Sequence, residues 1–178
     1  MKLPLAYYGN PLLRKKCLPI KEITQEICRL ADDMIETMDQ SNGIGLAASQ
    51  VGHLIRLFVL RKYHHLPSGE WTVSVPIVYI NPKILEHSKE TWSTEEGCLS
   101  IPKVYLPVDR PLKIKVEAQD REGNTFIEEL EGMNARVVLH ENDHLNGVLF
   151  IDRVDKELVE SAMHQLRAIK KTYLHPQQ

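Results

Sequence analysis

The sequence of residues 140–144 is His140-Glu141-Asn142-Asp143-His144. These residues lie within a segment, 133–145, whose pattern predicts an α-helix. Residues four apart on a helix lie roughly 40° apart around its axis and one turn apart along it, so both imidazoles can reach one ion. Glu141 is turned about 100° from His140 and can face a water molecule without binding that ion. The pattern matches two-histidine zinc sites with a glutamate base, although five residues alone fit two surface histidines equally well.

A catalytic ion usually takes three protein ligands and keeps one position open, so a third ligand is required. Phe150 stands where the metzincin proteases carry their third histidine, and phenylalanine cannot bind a metal. Glu157 and Glu160 fall in an amphipathic helix whose polar face accounts for them. The remaining candidate is Cys98, which we expect to project from an irregular segment because Gly97 precedes it and a proline follows soon after.

The other patterns predict an N-terminal helix, a central group of strands and a C-terminal helix. The predicted elements are a helix from Ile23 to a stop at Asn42-Gly43, strands 55–60, 73–80 and 112–118, a surface loop 63–74, a hairpin turn 120–124 leading into strand 125–131, a helix over Met133–Leu145 closed by Gly147, and a helix over about 156–173 ended by Pro176. Strands grouped between helices favour an α+β fold, and the absence of repeats favours one domain over residues 1–178.

The composition excludes several classes of protein. The chain has 178 residues, 43% of them hydrophobic, which suits a folded domain of ordinary size. A formal charge of -2 argues against direct nucleic-acid binding. The sequence contains no apolar run of the roughly 20 residues that a membrane helix needs, and no signal-peptide core. Three cysteines without a CxxC pair predict a cytoplasmic protein.

Three stretches together resemble the signature motifs of peptide deformylases, in order and in spacing. They are Gly43-Ile44-Gly45-Leu46-Ala47-Ala48-Ser49-Gln50, Glu96-Gly97-Cys98-Leu99-Ser100 and His140-Glu141-Asn142-Asp143-His144-Leu145. The resemblance runs from Asn10 to about Asp152, and one departure is Leu139, where the family often has glutamine. It implies a single domain with mainly antiparallel sheets around a central helix that carries HExxH, and an enzyme that removes the formyl group from N-terminal formyl-methionine and releases formate.

The resemblance implies that Cys98, His140 and His144 hold a divalent ion, with one position open for water. Ferrous iron is the metal expected, with Zn²⁺, Ni²⁺ or Co²⁺ as alternatives; two imidazoles and a thiolate suit such ions better than Mg²⁺ or Ca²⁺. Glu141 would then accept the proton of the attacking water and pass it to the leaving amine. By the same resemblance, the Gln50 side chain, the Leu99 backbone N–H and the ion stabilise the charge that develops on the formyl oxygen.

The expected partner is a formyl-methionyl nascent peptide, so the enzyme is expected to act close to the ribosome. The resemblance implies that Gly43, Ile44 and Gly45 pair with the peptide backbone, and Gly97 is expected to serve similarly. A phosphate-binding loop is the rejected alternative, because a helix and not a strand precedes these glycines. Ile44, with Met133 and Val137 of the HExxH helix, would line a methionine pocket or simply belong to the core.

Arg136 is unexpected because it lies one turn before His140, where a pocket residue should be apolar. Its methylenes can cover the pocket wall while its charge reaches the rim and favours acidic residues after methionine. The alternative is an ion pair with a surface carboxylate such as Glu131. We also expect Asp143 to orient a ligand or to pair with a cation such as Arg110.

Two other functions fit parts of the sequence. A zinc endopeptidase shares the HExxH pattern, but Cys98 within Glu-Gly-Cys-Leu-Ser favours a deformylase. An inactive, metal-stabilised binding module is the second alternative, and the presence of both Glu141 and Gln50 argues against it, because structure alone requires neither.

Overall fold

The computed structural model describes residues 1–174, so the predicted helix stop at Pro176 lies outside the described residues. The strands are β1 (Gly45–Ala47), β2 (Leu57–Leu60), β3 (Tyr63–His65), β4 (Trp71–Val73), β5 (Ile77–His87), β6 (Thr91–Cys98), β7 (Ile101–Pro111), β8 (Lys113–Gln119) and β9 (Thr125–Glu131). The helices are α1 (Gln25–Gln40), α2 (Met133–Leu145), α3 (Lys156–Ser161) and α4 (Met163–Leu174), and three 3-10 turns cover Pro11–Arg14, Ala48–Val51 and Phe150–Arg153.

Five strands form an antiparallel sheet in the order β1-β2-β5-β8-β9, and the others form two hairpins, β3–β4 and β6–β7. Strand β2 is buried on both faces, which explains its unbroken apolar sequence. Leu57 and Val59 belong to a cluster with Met34 of α1, while Phe58 packs in a second cluster with Val138 of α2. The sheet therefore separates α1 from the helix that carries HExxH.

A third apolar cluster joins the β6–β7 hairpin to the C-terminal helices. Ile101 and Val108 of β7 pack with Phe150, Leu166 and Ile169. Phe150, which cannot be a ligand, thus has a packing role. The cluster fixes the hairpin beside α2, and this placement determines where the end of β6 lies.

The predicted α+β fold with mainly antiparallel sheets is confirmed. Helix α1 begins after Thr24, whose hydroxyl accepts a hydrogen bond from the Ile27 N–H, and Asn42 beyond its end has a φ of 55°. The predicted helix 133–145 is observed with the same bounds, and so is the strand 125–131 after its turn. No helix among residues 1–174 is long and apolar enough to cross a bilayer.

Residues 63–74 were expected to form a surface loop, and this expectation is wrong, because they form the hairpin β3–β4. The hairpin is attached to α2 by the Asn134 side chain, which accepts from the Tyr63 N–H (2.8 Å) and donates to the Tyr63 carbonyl (3.0 Å). The rings of His65 and Trp71 pack edge to face across it. These contacts stabilise the β3–β4 hairpin, and they cannot be predicted from the polar sequence of the segment alone.

The single helix expected over 156–173 is also wrong, since α3 and α4 are separate. At Ala162 the backbone N–H donates to the Val159 carbonyl (3.0 Å), a tighter turn than that of an α-helix. Helix α3 buries no residue, whereas Leu166 and Ile169 of α4 reach the core. Only the partly buried Val159 of α3 is among the residues packed against the apolar cluster that Leu166 and Ile169 enter.

The sequence analysis did not predict strands β6 and β7, and Cys98 ends a strand instead of projecting from an irregular segment. The prolines of β7 argue against a strand in its sequence, because proline cannot donate a backbone hydrogen bond to a sheet. In a two-stranded hairpin both strands have a free edge, so Pro107 opposite Glu95 is tolerated. Strand β7 nevertheless alternates buried and exposed residues along most of its length.

Gly147 ends helix α2 with a φ of +73°, and a Cβ atom there would lie 2.5 Å from the carbonyl oxygen of Arg14. Gly147→Ala should therefore destabilise the protein by both backbone strain and a clash. Gly69→Ala is the matched control, because Gly69 has a φ of +89° and no atom within 4 Å of the added Cβ. We expect the control to lower the free energy of unfolding by about 1–2 kcal/mol. Gly147→Ala should lower it by roughly 1–3 kcal/mol more, as measured by urea unfolding of the chelator-treated protein. Equal losses of unfolding free energy in the two variants would show that the protein relieves the clash at residue 147.

Candidate metal centre

Helix α2 and the end of strand β6 bring three potential ligands together. The ligand atoms of Cys98, His140 and His144 all lie within 4.8 Å of one another. The Sγ atom of Cys98 is 3.3 Å from Nε2 of His144. The two histidines lie on one face of α2, with ring centroids 5.0 Å apart, as their spacing predicts.

The chemistry of this donor set fits a divalent transition metal ion. Burial lowers the pKa of His144 well below its ordinary value and so favours the neutral form that a ligand needs. Burial also opposes a charge on His140, but hydrogen bonds with Cys98 and Glu96 outweigh it and raise the pKa of that imidazole. The ionised Glu96 carboxylate beside His140 would also favour a metal cation at this position.

Glu96 is the buried carboxylate that orients His140. Its Oε1 atom lies 2.8 Å from Nδ1 of His140 and so leaves Nε2 for an ion. Arg110 donates to both carboxylate oxygens, through Nε (2.6 Å) and Nη2 (2.9 Å). Burial alone would raise the pKa of Glu96, but the hydrogen bonds from Arg110 and His140 hold it well below its usual range. Glu96 therefore stays ionised.

Asp143, three residues after His140 on α2, connects this group to Arg153. It accepts a hydrogen bond from Nη1 of Arg110 (2.9 Å), so the expected pairing with Arg110 is confirmed. The Arg153 guanidinium binds both Asp143 oxygens at 2.6 and 2.7 Å. Every one of these carboxylates and guanidiniums has an opposite charge as its partner, which buried ions require.

Glu141 points into the site beside strand β1. Its side chain is buried, and burial raises its pKa to about 7. The Oε2 atom has no hydrogen-bond partner among the described residues, whereas Oε1 lies so close to Gly45 that a Cβ added there would be 2.5 Å away. A buried carboxylate oxygen without a partner fits a group that must meet a water molecule or a substrate.

The Gln50 amide is held in one orientation by its neighbours. Its oxygen accepts from the Ala47 N–H (2.9 Å), and its Nε2 atom donates to Ser100 Oγ (3.1 Å) and lies 3.5 Å from Cys98 Sγ. The amide N–H₂ group is thereby held beside Cys98, the candidate ligand at the end of β6.

A cavity of about 530 Å³ opens onto this centre. Its walls include all the residues that the sequence analysis assigned to catalysis and substrate binding, namely Gly43, Ile44, Gly45, Gln50, Gly97, Leu99, Met133, Arg136, Val137 and Glu141, and also the ligand candidates Cys98 and His140. Strand β1 pairs only with β2 among the described strands, so its other edge is free. A strand edge beside a cavity can accept an extended peptide.

The expectation that the Arg136 charge reaches the pocket rim is wrong. The residue is 1% exposed, and its Nη1 atom donates to Glu96 (2.6 Å) and to the Val108 carbonyl (2.7 Å). The alternative pairing with Glu131 is wrong too, because that carboxylate faces Lys113. The buried acceptors of the β6–β7 hairpin draw the guanidinium inward.

Sequence reasoning gave no role to several residues of the site. Glu96 lies within the second motif, but its contact with His140, 44 residues further along the chain, has no local sequence signal. Tyr63 and Tyr105 line the cavity, and Tyr105 lies against Gly97 closely enough to exclude a Cβ there. These tyrosines come from hairpins that the sequence did not predict, so no local signal identified them.

The polypeptide deformylase family model matches residues 2–159. The chain belongs to this family. A peptide deformylase of Psychrobacter cryohalolentis is 45% identical over 169 residues, which are 95% of this chain and 88% of the relative. That of Rhizobium meliloti is 48% identical over 153 residues, 86% of this chain and 85% of the relative.

Solved structures agree with the sequence relatives. The crystal structure of peptide deformylase from Thermotoga maritima is 42% identical, with a TM-score of 0.79 over 87% of this chain and 99% of that chain. The Arabidopsis thaliana peptide deformylase 1B in complex with an inhibitor is 37% identical, with a TM-score of 0.86 over 99% of this chain and 94% of that one. The fold expected from the resemblance is confirmed by both.

Gly45 leaves room for the Glu141 carboxylate, so Gly45→Ala should displace it. A displacement of about 1 Å at a reacting group can cost roughly 10² in rate, and we expect a loss of kcat of this order with metal content unchanged. The control is Gly45→Ala in a Glu141→Gln background, where the mutation should have almost no further effect. A loss of bound metal in the single variant would contradict this explanation.

Proposed function

We propose that Cys98, His140 and His144 hold the metal ion of this deformylase, and that Glu141, Gln50 and the Leu99 N–H carry out the reaction. The chain is a metal-dependent hydrolase that removes the N-formyl group from nascent peptides, as its family membership indicates. The observation that carries the proposal is the convergence of the three ligand atoms, the unpartnered Glu141 oxygen and the Gln50 amide on one cavity.

We propose Fe²⁺ as the native metal, with Zn²⁺, Ni²⁺ or Co²⁺ able to replace it. One thiolate and two imidazoles favour these borderline ions over Mg²⁺ or Ca²⁺. When bound, the ion supplies an activated water and an electrophile for the formyl oxygen. The position of Glu96 supports a metal here, because its Oε1 atom engages Nδ1 of His140 and leaves Nε2 for the ion.

Glu141 is proposed to take a proton from the attacking water and to deliver it to the leaving amine. The carboxylate is not one of the three ligands, and its Oε2 atom is free of other partners in the described part of the chain. Its contact with Gly45 places it next to the strand edge on which we place the peptide. One group can therefore serve both proton transfers without moving far.

Gln50 and Leu99 are proposed to stabilise the negative charge on the formyl oxygen. The Gln50 oxygen is held by the Ala47 N–H, so the amide cannot turn its acceptor toward that charge without losing a buried hydrogen bond. Leu99 follows Cys98 in the tight connection between β6 and β7, and it lines the same cavity. Donors fixed before the reaction contribute most to such stabilisation.

The substrate is proposed to extend along the free edge of β1, with Gly43, Ile44 and Gly45 pairing with its backbone and Gly97 facing it across the cavity. Ile44, Met133 and Val137 would contact the methionine side chain. Val137 is 6% exposed and Met133 39% exposed, so one forms the floor and the other the edge of this pocket. The pocket roles follow from their position on the cavity wall.

We propose further that residues 1–178 form one catalytic domain that acts in the cytoplasm, close to the ribosome. Formylated chains arise at the ribosome, and the three cysteines are free thiols, which suits a reducing compartment. A balanced charge gives no reason to expect direct nucleic-acid binding.

The reaction is tested by measuring formate released from formyl-Met-Ala-Ser together with cleavage of an internal peptide bond in the same reaction. We expect formate release and no internal cleavage. The relatives give no support to the zinc endopeptidase or the inactive binding module that the motif alone leaves open. Internal cleavage without formate would overturn the proposal.

Cys98→Ala should lose both metal and activity, because it removes one ligand of three and leaves two imidazoles. Metal content is measured after purification without oxygen, and Cys28→Ala is the control, since Cys28 lies in α1 away from the cavity. A stoichiometric ion with an unchanged spectrum in Cys98→Ala would refute the ligand assignment.

Glu141→Gln should keep the ion but lose turnover, because the amide has nearly the same shape and cannot take a proton. We expect kcat to fall by at least the roughly 10² to 10⁴ typical of a lost general acid or base. Near-normal turnover at saturating formyl-peptide, with metal content unchanged, would remove Glu141 from the mechanism.

A further inference from the structure

We propose that Arg136 is a positioning residue of the metal centre, which acts through Glu96 to hold His140 in the orientation that exposes Nε2 to the ion. The inference rests on the ligand assignment above. It gives a function to a charged residue that the sequence places at an apolar position of the HExxH helix.

The Arg136 guanidinium is fixed on several sides. Nη1 donates to Glu96 Oε2 (2.6 Å) and to the Val108 carbonyl (2.7 Å), and Nη2 donates to the Trp92 carbonyl (2.7 Å). Its carbon Cζ lies 4.5 Å from the centroid of the Trp92 ring. A planar group with three acceptors and a stacked ring has little freedom to move, and a lysine ammonium could not reproduce this fork.

These contacts fill the last acceptor site of Glu96. Oε1 takes His140 Nδ1 and Arg110 Nη2, while Oε2 takes Arg110 Nε and Arg136 Nη1. Four donors on two oxygens use the four lone-pair positions of a carboxylate. Rotation of the carboxylate would break bonds on both oxygens at once, so the direction of its bond to His140 is fixed.

Arg136 also joins two separate elements of the fold. Glu96 and Arg110 both belong to the β6–β7 hairpin, whereas Arg136 and His140 lie one turn apart on α2. On the other side of His140, Asp143 of α2 binds Arg110 of the hairpin. His140, itself bonded to Glu96, is thus flanked by two further connections from helix to hairpin, and removing Arg136 leaves the flanking connection through Asp143 alone.

The burial of Arg136 separates this function from substrate choice. With 1% of its surface exposed, the guanidinium cannot meet a charged residue of the peptide, although the side chain forms part of the cavity wall. A change at Arg136 should therefore alter the metal centre and leave unaltered the ratio of kcat/KM between formyl-Met peptides bearing Glu and Lys after methionine.

The test compares Arg136→Met with Arg153→Met. Both remove an arginine from the same charged group, but among residues 1–174 the side chain of Arg153 pairs with Asp143 alone, and it is half-exposed. Competition with a chromophoric chelator measures the affinity for Co²⁺, and the visible Co²⁺ spectrum reports the geometry of the ligands. We expect Arg136→Met to lose about tenfold in affinity, the lower end of the 10–100-fold typical of groups that orient a ligand, with a shifted spectrum. We expect less than a twofold change for Arg153→Met and unchanged KM for both.

A double-mutant cycle with Glu96→Gln tests whether Arg136 acts through Glu96. If it does, Arg136→Met should lower Co²⁺ affinity by less than threefold in the Glu96→Gln background. An equal loss in both backgrounds, or wild-type affinity and spectrum in Arg136→Met, would overturn the inference. If Arg136→Met does not fold, Arg136→Lys replaces it and should give an intermediate loss, while wild-type behaviour of the lysine variant would overturn the role of the guanidinium fork.

The two proposals fail in different ways. A wild-type protein that neither binds Co²⁺ at Cys98 nor releases formate would refute the proposed function. A wild-type protein that does both, beside an Arg136→Met variant with the same metal affinity, would refute only the role of Arg136.

Discussion

The buried ion pair between Glu96 and Arg110 is the interaction on which the site depends. Both residues are almost inaccessible to water, and each is charged, so neither tolerates the loss of the other. Glu96 directs His140, and Arg110 reaches Asp143 on the same helix. The β6–β7 hairpin and helix α2 are in this way held in one register, and the thiol of Cys98 at the end of β6 lies beside the imidazoles.

The central sheet supplies the second half of the arrangement. Because β2 is buried on both faces, α1 and α2 are placed on opposite sides of it, and β1 is left at the edge beside α2. That edge brings Gly45 against Glu141 and leads directly into the turn that carries Gln50. Gln50 is therefore placed by the sheet, and Glu141 of α2 lies against the sheet edge, whereas Cys98 is brought to the two histidines by the contact between helix and hairpin.

The sequence predicts the parts of this structure that repeat with a fixed period. Helix α2, the pair His140 and His144 and the hairpin turn after β8 follow from local patterns, and the resemblance to a family identified Cys98 and Gln50. The β6–β7 hairpin was missed because Pro107 and its neighbours violate the local preferences of a strand. These prolines are tolerated because the β6–β7 sheet has two strands within residues 1–174, and that is a property of the tertiary fold.

Arg136 shows why the remaining error was unavoidable from one sequence. On a helix face that should be apolar, a charge is expected to seek water. It turns inward instead because Glu96 and two main-chain carbonyls of the hairpin await donors there, and none of them is near it in sequence. Replacing such a buried group of charges by apolar residues often leaves a protein equally stable. An apolar core, however, could not fix the direction of an imidazole. A departure from the local rule is therefore expected where the geometry of a ligand matters more than stability.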